Sequence, residues 1–420
     1  MSLRRRLLSF LQKRLADRPP PLRLTFWDGE VFDFASSPTV TLSLRTPRVA
    51  RDLLFGRFDR LGDAYVAGEI LVEGAAADIL HTGIELAERV GKAPWLAPLG
   101  RAAGLLSFRH SRKQDARAIA YHYDVSDDFY RAFLDTAMIY SCAYFRTGSE
   151  SIDLAQEQKL AHICNKLRLA PGDRLLDIGC GWGGLLHFAA SRYEISALGI
   201  TNSEAQCAAA RERIAAAGLS GRVEIRLADY RDVAGQDCFG KIVSVGMYEH
   251  VGASNWPTYV HTIRRLLKPG GTLLNHGIIT TDSEGRPQGP PGGEFIDRYV
   301  FPGGELANLP RLLTEIARHG LEVSDVEDLR PHYARTLSLW SDRFEANREA
   351  VISAGGIERY RIWRIYLEGM AQAFDRGWLS IAQIVAHKQA GGRPAPRPWT
   401  REYQYSPGER VMLCKPLDGT

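Results

Sequence analysis

Apolar residues recur with helical spacing at the start of the chain. Leu3, Leu7, Leu8, Phe10, Leu11 and Leu15 share one broad face, and Arg5, Arg6 and Lys13 lie opposite. The pattern predicts a helix over 2–16, ended by Pro19-Pro20-Pro21. Two destinations suit such a helix: the core of its own domain, which pattern alone favours, or an anionic membrane surface. Strand-like alternation follows. Leu22 to Trp27 and Glu30 to Phe34 flank Asp28-Gly29, a β-hairpin signal, and Val40 to Leu44 supplies another strand. Residues 50–90 are mostly helical in pattern, so 1–95 is expected to form a small α+β domain.

From about residue 150 strands and helices alternate. A helix over 153–168 precedes the strand Arg174 to Gly179. Strands at 196–201, 223–228, 241–246 and 272–279 follow, separated by helices at 185–192, 203–217 and 256–267. Near-continuous apolar strands joined by helices predict a parallel sheet covered on both faces. The expected fold class is α/β, a doubly wound Rossmann-like sheet spanning 119–390 beside the smaller N-terminal domain. Residues 310–390 read as further helix with antiparallel edge strands. Residues 391–420 open Gly391-Gly392-Arg393-Pro394-Ala395-Pro396-Arg397-Pro398 and read as a loosely ordered tail.

Composition narrows the picture. Hydrophobic residues at 45% and charged ones at 24% exclude a disordered or collagen-like chain. A net charge of +4 gives no general polyanion signal, and no nucleic-acid partner is expected. The positive charge is local. The connector 96–118 carries Arg101, Arg109, His110, Arg112, Lys113 and Arg117 against Asp115 alone, near the basic helix at the start. Such a run is ordinarily a solvated face, and its nearness to a second basic element favours a polyanionic partner. The cysteines Cys142, Cys164, Cys180, Cys207, Cys238 and Cys414 form no CxxC pair or zinc-ligand cluster, so reduced thiols and no metal centre are expected. No apolar run reaches the ~20 residues of a bilayer span. The stretch Arg4 to Leu11 is too short for a signal peptide, so the expected location is cytoplasmic.

Chemistry concentrates at strand ends. Gly179-Cys180-Gly181-Trp182-Gly183-Gly184 joins a buried strand to a helix, where glycines admit a ligand and the helix offers free N–H groups. Strand order in a doubly wound sheet reverses at the first strand, so Asp177–Gly181, Met247–His250 and Asn275–Ile278 are expected to border one crevice. Glu249 and His276 then converge on it. Singly, Glu249 also reads as a helix cap, His276 as a satisfied core histidine, Cys142 as a small hydrophobe and Asp229 as a turn residue. Tyr140-Ser141-Cys142-Ala143-Tyr144-Phe145 lies upstream as a cover for the cofactor.

The string Leu176-Asp177-Ile178-Gly179-Cys180-Gly181-Trp182-Gly183 resembles motif I of the S-adenosylmethionine-dependent methyltransferases. The resemblance implies a cofactor site of Tyr140, Ser141, Asp177, Gly179, Gly181, Gly183, Thr201, Gln206, Asp229 and Tyr230. The acid would meet the amino-acid end, and Asp229-Tyr230 the adenine edge. Thr201 and Gln206 stand where an acid commonly holds the ribose, because the second strand ends Gly199-Ile200-Thr201-Asn202-Ser203.

A narrower resemblance covers 115–390. His122-Tyr123-Asp124, Tyr140 to Tyr144, Val245-Gly246-Met247-Tyr248-Glu249-His250-Val251-Gly252 and Tyr333 with Thr336-Leu337 are similar to the cyclopropane-fatty-acyl-phospholipid synthases and the related mycolic acid cyclopropane synthases. It implies methylene transfer to the double bond of an unsaturated phospholipid acyl chain, by an enzyme resting on the inner face of the membrane. It also implies a bound bicarbonate as general base, held by Cys142, Glu249, His276, the backbone N–H of Ile278 and Tyr333. Tyr140, Tyr144, Phe145 and Tyr299 would face the carbocation, and by analogy the enzyme would be a homodimer. One departure is Gly277, where the family usually has Thr. It leaves the product open between a ring and a methyl-branched or methylene chain.

Overall fold

The computed structural model describes residues 2–90, 126–282, 293–301 and 305–405. In chain order they form α1 (Leu3–Leu15), β1 (Leu22–Thr25), β2 (Val31–Asp33), β3 (Val40–Leu44), α2 (Pro47–Leu54), α3 (Phe58–Val66), β4 (Ile70–Glu73) and α4 (Ala76–Val90). Next come α5 (Asp127–Arg131), α6 (Ile152–Leu167), β5 (Arg174–Ile178), α7 (Gly184–Arg192), β6 (Ser196–Thr201), α8 (Glu204–Ala216), β7 (Val223–Leu227) and β8 (Phe239–Val245). The rest are α9 (Trp256–Leu266), β9 (Leu267–Thr280), α10 (Gly293–Tyr299), β10 (Ala307–Asn308), α11 (Leu309–Arg318), β11 (Leu321–Asp328), α12 (Arg330–Ala346), α13 (Arg348–Asp375) and β12 (Leu379–Lys388). Two compact units result. One is drawn from Met1–Arg109, Gly289–Pro302 and Trp340–Gln372, the other from His110–Gln288, Gly303–Leu339 and Ala373–Thr420.

The first unit holds a four-stranded sheet in the order β2-β1-β3-β4. Its β1–β2 hairpin turns at Gly29, whose φ of +83° lies in the left-handed region that Asp-Gly turns exploit. Ser2 caps α1, and Leu7, Leu11 and Leu15 are buried in the unit's core. The apolar face of α1 is therefore spent on its own unit, while Arg5, Arg6 and Lys13 stay exposed. Segments 293–301 and 340–372 join this unit, although the sequence pattern runs them on with the catalytic domain. Their polar contacts explain it. Arg298 and the Tyr299 hydroxyl bond Asp63, and Arg364 bonds Glu345 and the carbonyls of Val72 and Gly74.

The second unit is the doubly wound sheet. Its order is β7-β6-β5-β8-β9-β12-β11, with β10 paired to β9. Strands β7, β6, β5, β8 and β9 run parallel, and the order reverses at β5 as expected. Apolar side chains cover both faces: Leu175, Val243 and Leu274 join one core, and Leu176, Ile242 and Leu273 the other. Strands β12 and β11 are antiparallel, yet only β11 is an edge. β12 lies between β9 and β11, and its almost unbroken run of buried residues fits that inner place.

The tail corrects another expectation, being docked through Tyr405. Arg397 pairs with Glu322 at 2.6 Å, Arg401 with Asp325 at 3.0 Å, and the Gln404 carbonyl accepts from Asn165 at 3.2 Å. Beneath it the fully buried Lys166 ammonium sits 3.1 Å from Asp325 and 2.5 Å from Glu327. The connector 96–118, His122-Tyr123-Asp124 and residues 406–420 lie outside the described residues. No helix among the described residues is long and apolar enough to cross a membrane.

Candidate active site

The glycine turn follows β5. Gly179, Gly181 and Gly183 have φ of +84°, +54° and +76°, a region costly to other residues. A Cβ on Gly184 would lie 2.3 Å from Ile139 Cδ1, whereas at Gly181 nothing would lie within 4 Å. The open side faces a cavity walled by Tyr140, Ser141, Lys159, Asp177, Gly179, Gly181, Trp182, Thr201, Gln206, Asp229, Tyr230, Met247 and His250. Every expected cofactor residue except Gly183 stands on this wall. Gly183 instead packs on α8, where its Cβ would lie 3.2 Å from Ala210 Cβ, so its glycine is conformational.

The wall carries the charged side chains of Lys159, Asp177, Asp229 and Arg231. Asp177 is buried, its carboxylate has no hydrogen-bond partner among the described residues, and burial pushes its pKa up to about 7. Thr201 Oγ1 donates to Gln206 Oε1 at 2.9 Å, which holds both at the end of β6. Asp229 caps its own turn, and Arg231 engages both its carboxylate oxygens at 2.7 and 2.6 Å. The turn reading of Asp229 is thus the one observed, with the residue still on the wall. An unpartnered buried carboxylate beside open glycine backbone fits a cofactor carrying an ammonium group, as S-adenosylmethionine does.

The expected reaction residues gather beside this cavity without lining it. Glu249 lies on a short turn after β8 and its Oε1 accepts the Ile278 N–H at 2.7 Å, while Oε2 is buried with no partner among the described residues. Burial raises this carboxyl to about 7, opposed by the Ile278 N–H. His276 is fully buried on β9, directly across from Gln383 on β12. Gln383 Nε2 stands 3.1 Å from His276 Nδ1, and with the amide nitrogen donating there the ring proton lies on Nε2; both Nε2 and Gln383 Oε1 are buried with no partner among the described residues. Burial first, then the nearby Lys159 and Lys166, hold this imidazole well below its ordinary pKa and hence neutral.

Cys142 is buried beside the same strand ends. Its Sγ donates to the carbonyls of Ala143 at 3.2 Å and Leu329 at 3.9 Å. Burial pushes the thiol up, so it is a neutral donor rather than a thiolate. The Tyr333 N–H bonds the Leu329 carbonyl at 3.0 Å, the Leu329 N–H bonds Ile381, and Ile381 faces Ile278 across the ladder. Glu249 thus touches Ile278 directly, and these bonds link the chain segments that carry Cys142 and Tyr333 to the end of β9, where His276 and Ile278 lie. They meet the cavity at two points in the chain, Ser141-Cys142 and Met247-Tyr248-Glu249-His250.

Two expectations need correction. The Ile278 N–H already serves Glu249, so it is not open to an anion while that bond holds. Tyr144 is sandwiched between His162 and His332 at 4.3 and 4.7 Å, which covers both faces of its ring. The sequence reading also missed Lys159 and Gln383. A signal for Lys159 was present: it lies in the apolar stripe Ile152, Ala155, Ile163 of α6.

Residues 110–384 match the family "Mycolic acid cyclopropane synthetase", and residues 10–92 match a domain of unknown function, DUF7884. A probable fatty acid methyltransferase of Pseudomonas putida is 43% identical over 398 residues, covering 93% of this chain and all of the relative. The cyclopropane-fatty-acyl-phospholipid synthase of Escherichia coli K12 is 38% identical over 288 residues, 68% of this chain and 72% of that one. The solved mycolic acid cyclopropane synthase CmaA1, complexed with SAH and CTAB, aligns with a TM-score of 0.62 at 33% identity over 65% of this chain and 98% of its own. The chain therefore belongs to the mycolic acid cyclopropane synthetase family and is an S-adenosylmethionine-dependent methyltransferase.

Proposed function

We propose that the protein forms a cyclopropane ring across the double bond of an unsaturated phospholipid acyl chain. The observation that carries this reading is the pair of buried, unpartnered polar atoms at neighbouring strand ends, Glu249 Oε2 and His276 Nε2. One is an acceptor and the other a donor. A small anion bearing its own O–H satisfies both, and bicarbonate is such an anion. Bound there, it would supply the weak base that ring closure needs, held by Glu249 and His276, while the Cys142 thiol keeps its own carbonyl partners. S-adenosylmethionine supplies an electrophilic methyl group, with Asp177, Thr201 and Gln206 as its holders.

The protein's own contribution is orientation and dryness. An alkene is a weak nucleophile and reacts only when held in line. The cation formed on the acyl chain would be captured by water, so fully buried groups such as His276 and Cys142 suit the chemistry.

A second reading, a methyl-branched fatty acid, is favoured by the full-length similarity to a probable fatty acid methyltransferase. Fatty-acid analysis after expression in a host without cyclopropane lipids separates the two. The expected product gains CH2 and resists mild hydrogenation as a ring. A gain of CH4 identifies a reduced methyl branch and replaces the first reading with the second.

For the phospholipid partner, attraction rests on charge, because α1 buries its apolar face in its own unit. Deleting residues 1–16 would strip Leu7, Leu11 and Leu15 from that core. Charge reversal at Arg5, Arg6 and Lys13 is the cleaner probe. Sedimentation with phosphatidylglycerol vesicles should weaken in the triple variant and in high salt. Binding indifferent to both removes the electrostatic part of the proposal.

A further inference from the structure

We infer that Lys159 is the carboxylate-binding group of the cofactor site, the partner across the cavity of Asp177, the acid that the family resemblance already assigns to the amino-acid end of S-adenosylmethionine. The inference rests on the cofactor reading above and adds a residue to it.

Lys159 projects from α6 within that helix's apolar stripe and is 2% exposed. Its Nζ donates to Ser141 Oγ at 3.0 Å, and both residues stand on the cavity wall. That is its one hydrogen bond among the described residues, and no carboxylate among them comes within ion-pair distance. Two ammonium protons therefore remain without an acceptor.

The carboxyl groups that influence Lys159 are Asp135 and Asp177. Asp135 spends its two oxygens on the N–H groups of Ile139 and Ala137, both at 2.9 Å. Asp177 is the other, on the wall and unpartnered. The remaining ionisable groups coupled to Lys159 are Cys142 and His276, and both are neutral. A buried cation and a buried anion that face one cavity without touching are each costly, and a ligand bearing both charges relieves both costs. Ser141 fixes the lysine's direction, and Gln156 fixes Ser141 in turn by donating to its carbonyl at 2.8 Å. Burial lowers the Lys159 ammonium to about 8 and raises the Asp177 carboxyl to about 7.

The test uses three probes in calorimetry with the full chain. S-adenosylhomocysteine has both charges, its deamino analogue keeps only the carboxylate, and 5′-methylthioadenosine has neither. Lys159→Met should weaken S-adenosylhomocysteine and the deamino analogue by at least about 30-fold each. Binding of 5′-methylthioadenosine should change by less than about 3-fold, which a merely structural role for Lys159 would not spare. Asp177→Asn should weaken S-adenosylhomocysteine and leave the deamino analogue alone. If Lys159→Met fails to fold, the pH arm in the unaltered protein decides: affinity for the deamino analogue should fall as pH rises beyond about 8, while that for 5′-methylthioadenosine stays level. Equal losses for all three probes, or a pH-independent deamino analogue, overturn the inference while leaving the cofactor reading intact. Failure of the unaltered protein to bind S-adenosylhomocysteine overturns both.

Discussion

Glu249→Gln should lower turnover by at least ~10² while leaving affinity for S-adenosylhomocysteine within about twofold. Glu249 is absent from the cavity wall, so the cofactor loses no contact. Glutamine keeps an acceptor for the Ile278 N–H but replaces the unpartnered Oε2 with a donor, which repels the O–H that the carboxylate would receive. The acid limb of the pH profile should go with it. At saturating cofactor, which removes the contribution of Asp177, native turnover should fall as pH drops through about 7, where the Glu249 carboxyl takes up a proton, and the variant's residual turnover should lack that limb. Stability gives an independent check. The folded-state carboxyl pKa is raised, so the native protein loses stability as pH climbs from the ordinary carboxylate range to about 7, and the full loss persists above it. The variant escapes this loss, so it should be more stable than the native protein at pH 8, by at most about 3 kcal/mol, and similar to it at pH 4. Unchanged turnover would remove Glu249 from the chemistry.

Much of the architecture was legible because buried strands and amphipathic helices have different periods. The elements expected between 153 and 279 appear within one or two residues, apart from β9, which begins at Leu267. Partnership was less legible. Nothing local in Leu379–Lys388 says that it lies between β9 and β11, since a buried strand looks alike wherever it is covered on both faces. The same holds for 340–372, whose helical pattern does not name the core it serves. The tail was misjudged on its Gly and Pro content. What holds it is charge pairing across the sequence, Arg397 with Glu322 and Arg401 with Asp325, which composition does not reveal.

The site divides similarly. Strand-end position sufficed for Asp177, Thr201 and Asp229, because topology carries strand ends to one crevice. Backbone occupancy was invisible: Ile278 offers an N–H in any sequence reading, and only the fold shows Glu249 accepting it. Lys159 was passed over because a lysine on a helix is ordinarily solvated, although its place in the apolar stripe of α6 marked it out.

Gly277 stands where the family usually carries Thr. A Cβ there would lie 2.3 Å from Tyr248 Cε1, 2.6 Å from its Cζ and 2.9 Å from Glu249 Oε1. The missing side chain is thus filled by the Tyr248 ring, fully buried, whose hydroxyl donates to the Ile278 carbonyl at 3.1 Å. The peptides flanking the Ile278 Cα are gripped on two sides, the N–H by Glu249 and the carbonyl by Tyr248. Gly277→Thr should cost about 2–3 kcal/mol in denaturant unfolding, because a packed core accepts added methyl groups only by shifting. It should also lower turnover by at least ~10², since the clash falls on Glu249 and small misplacements at a reacting centre cost that much. Tyr248→Leu vacates the ring. The double variant should therefore be more stable than the sum of its single costs by at least about 1 kcal/mol, as for any pair sharing one volume. Strict additivity would mean that the ring and the glycine do not compensate, and that the departure at Gly277 has another origin.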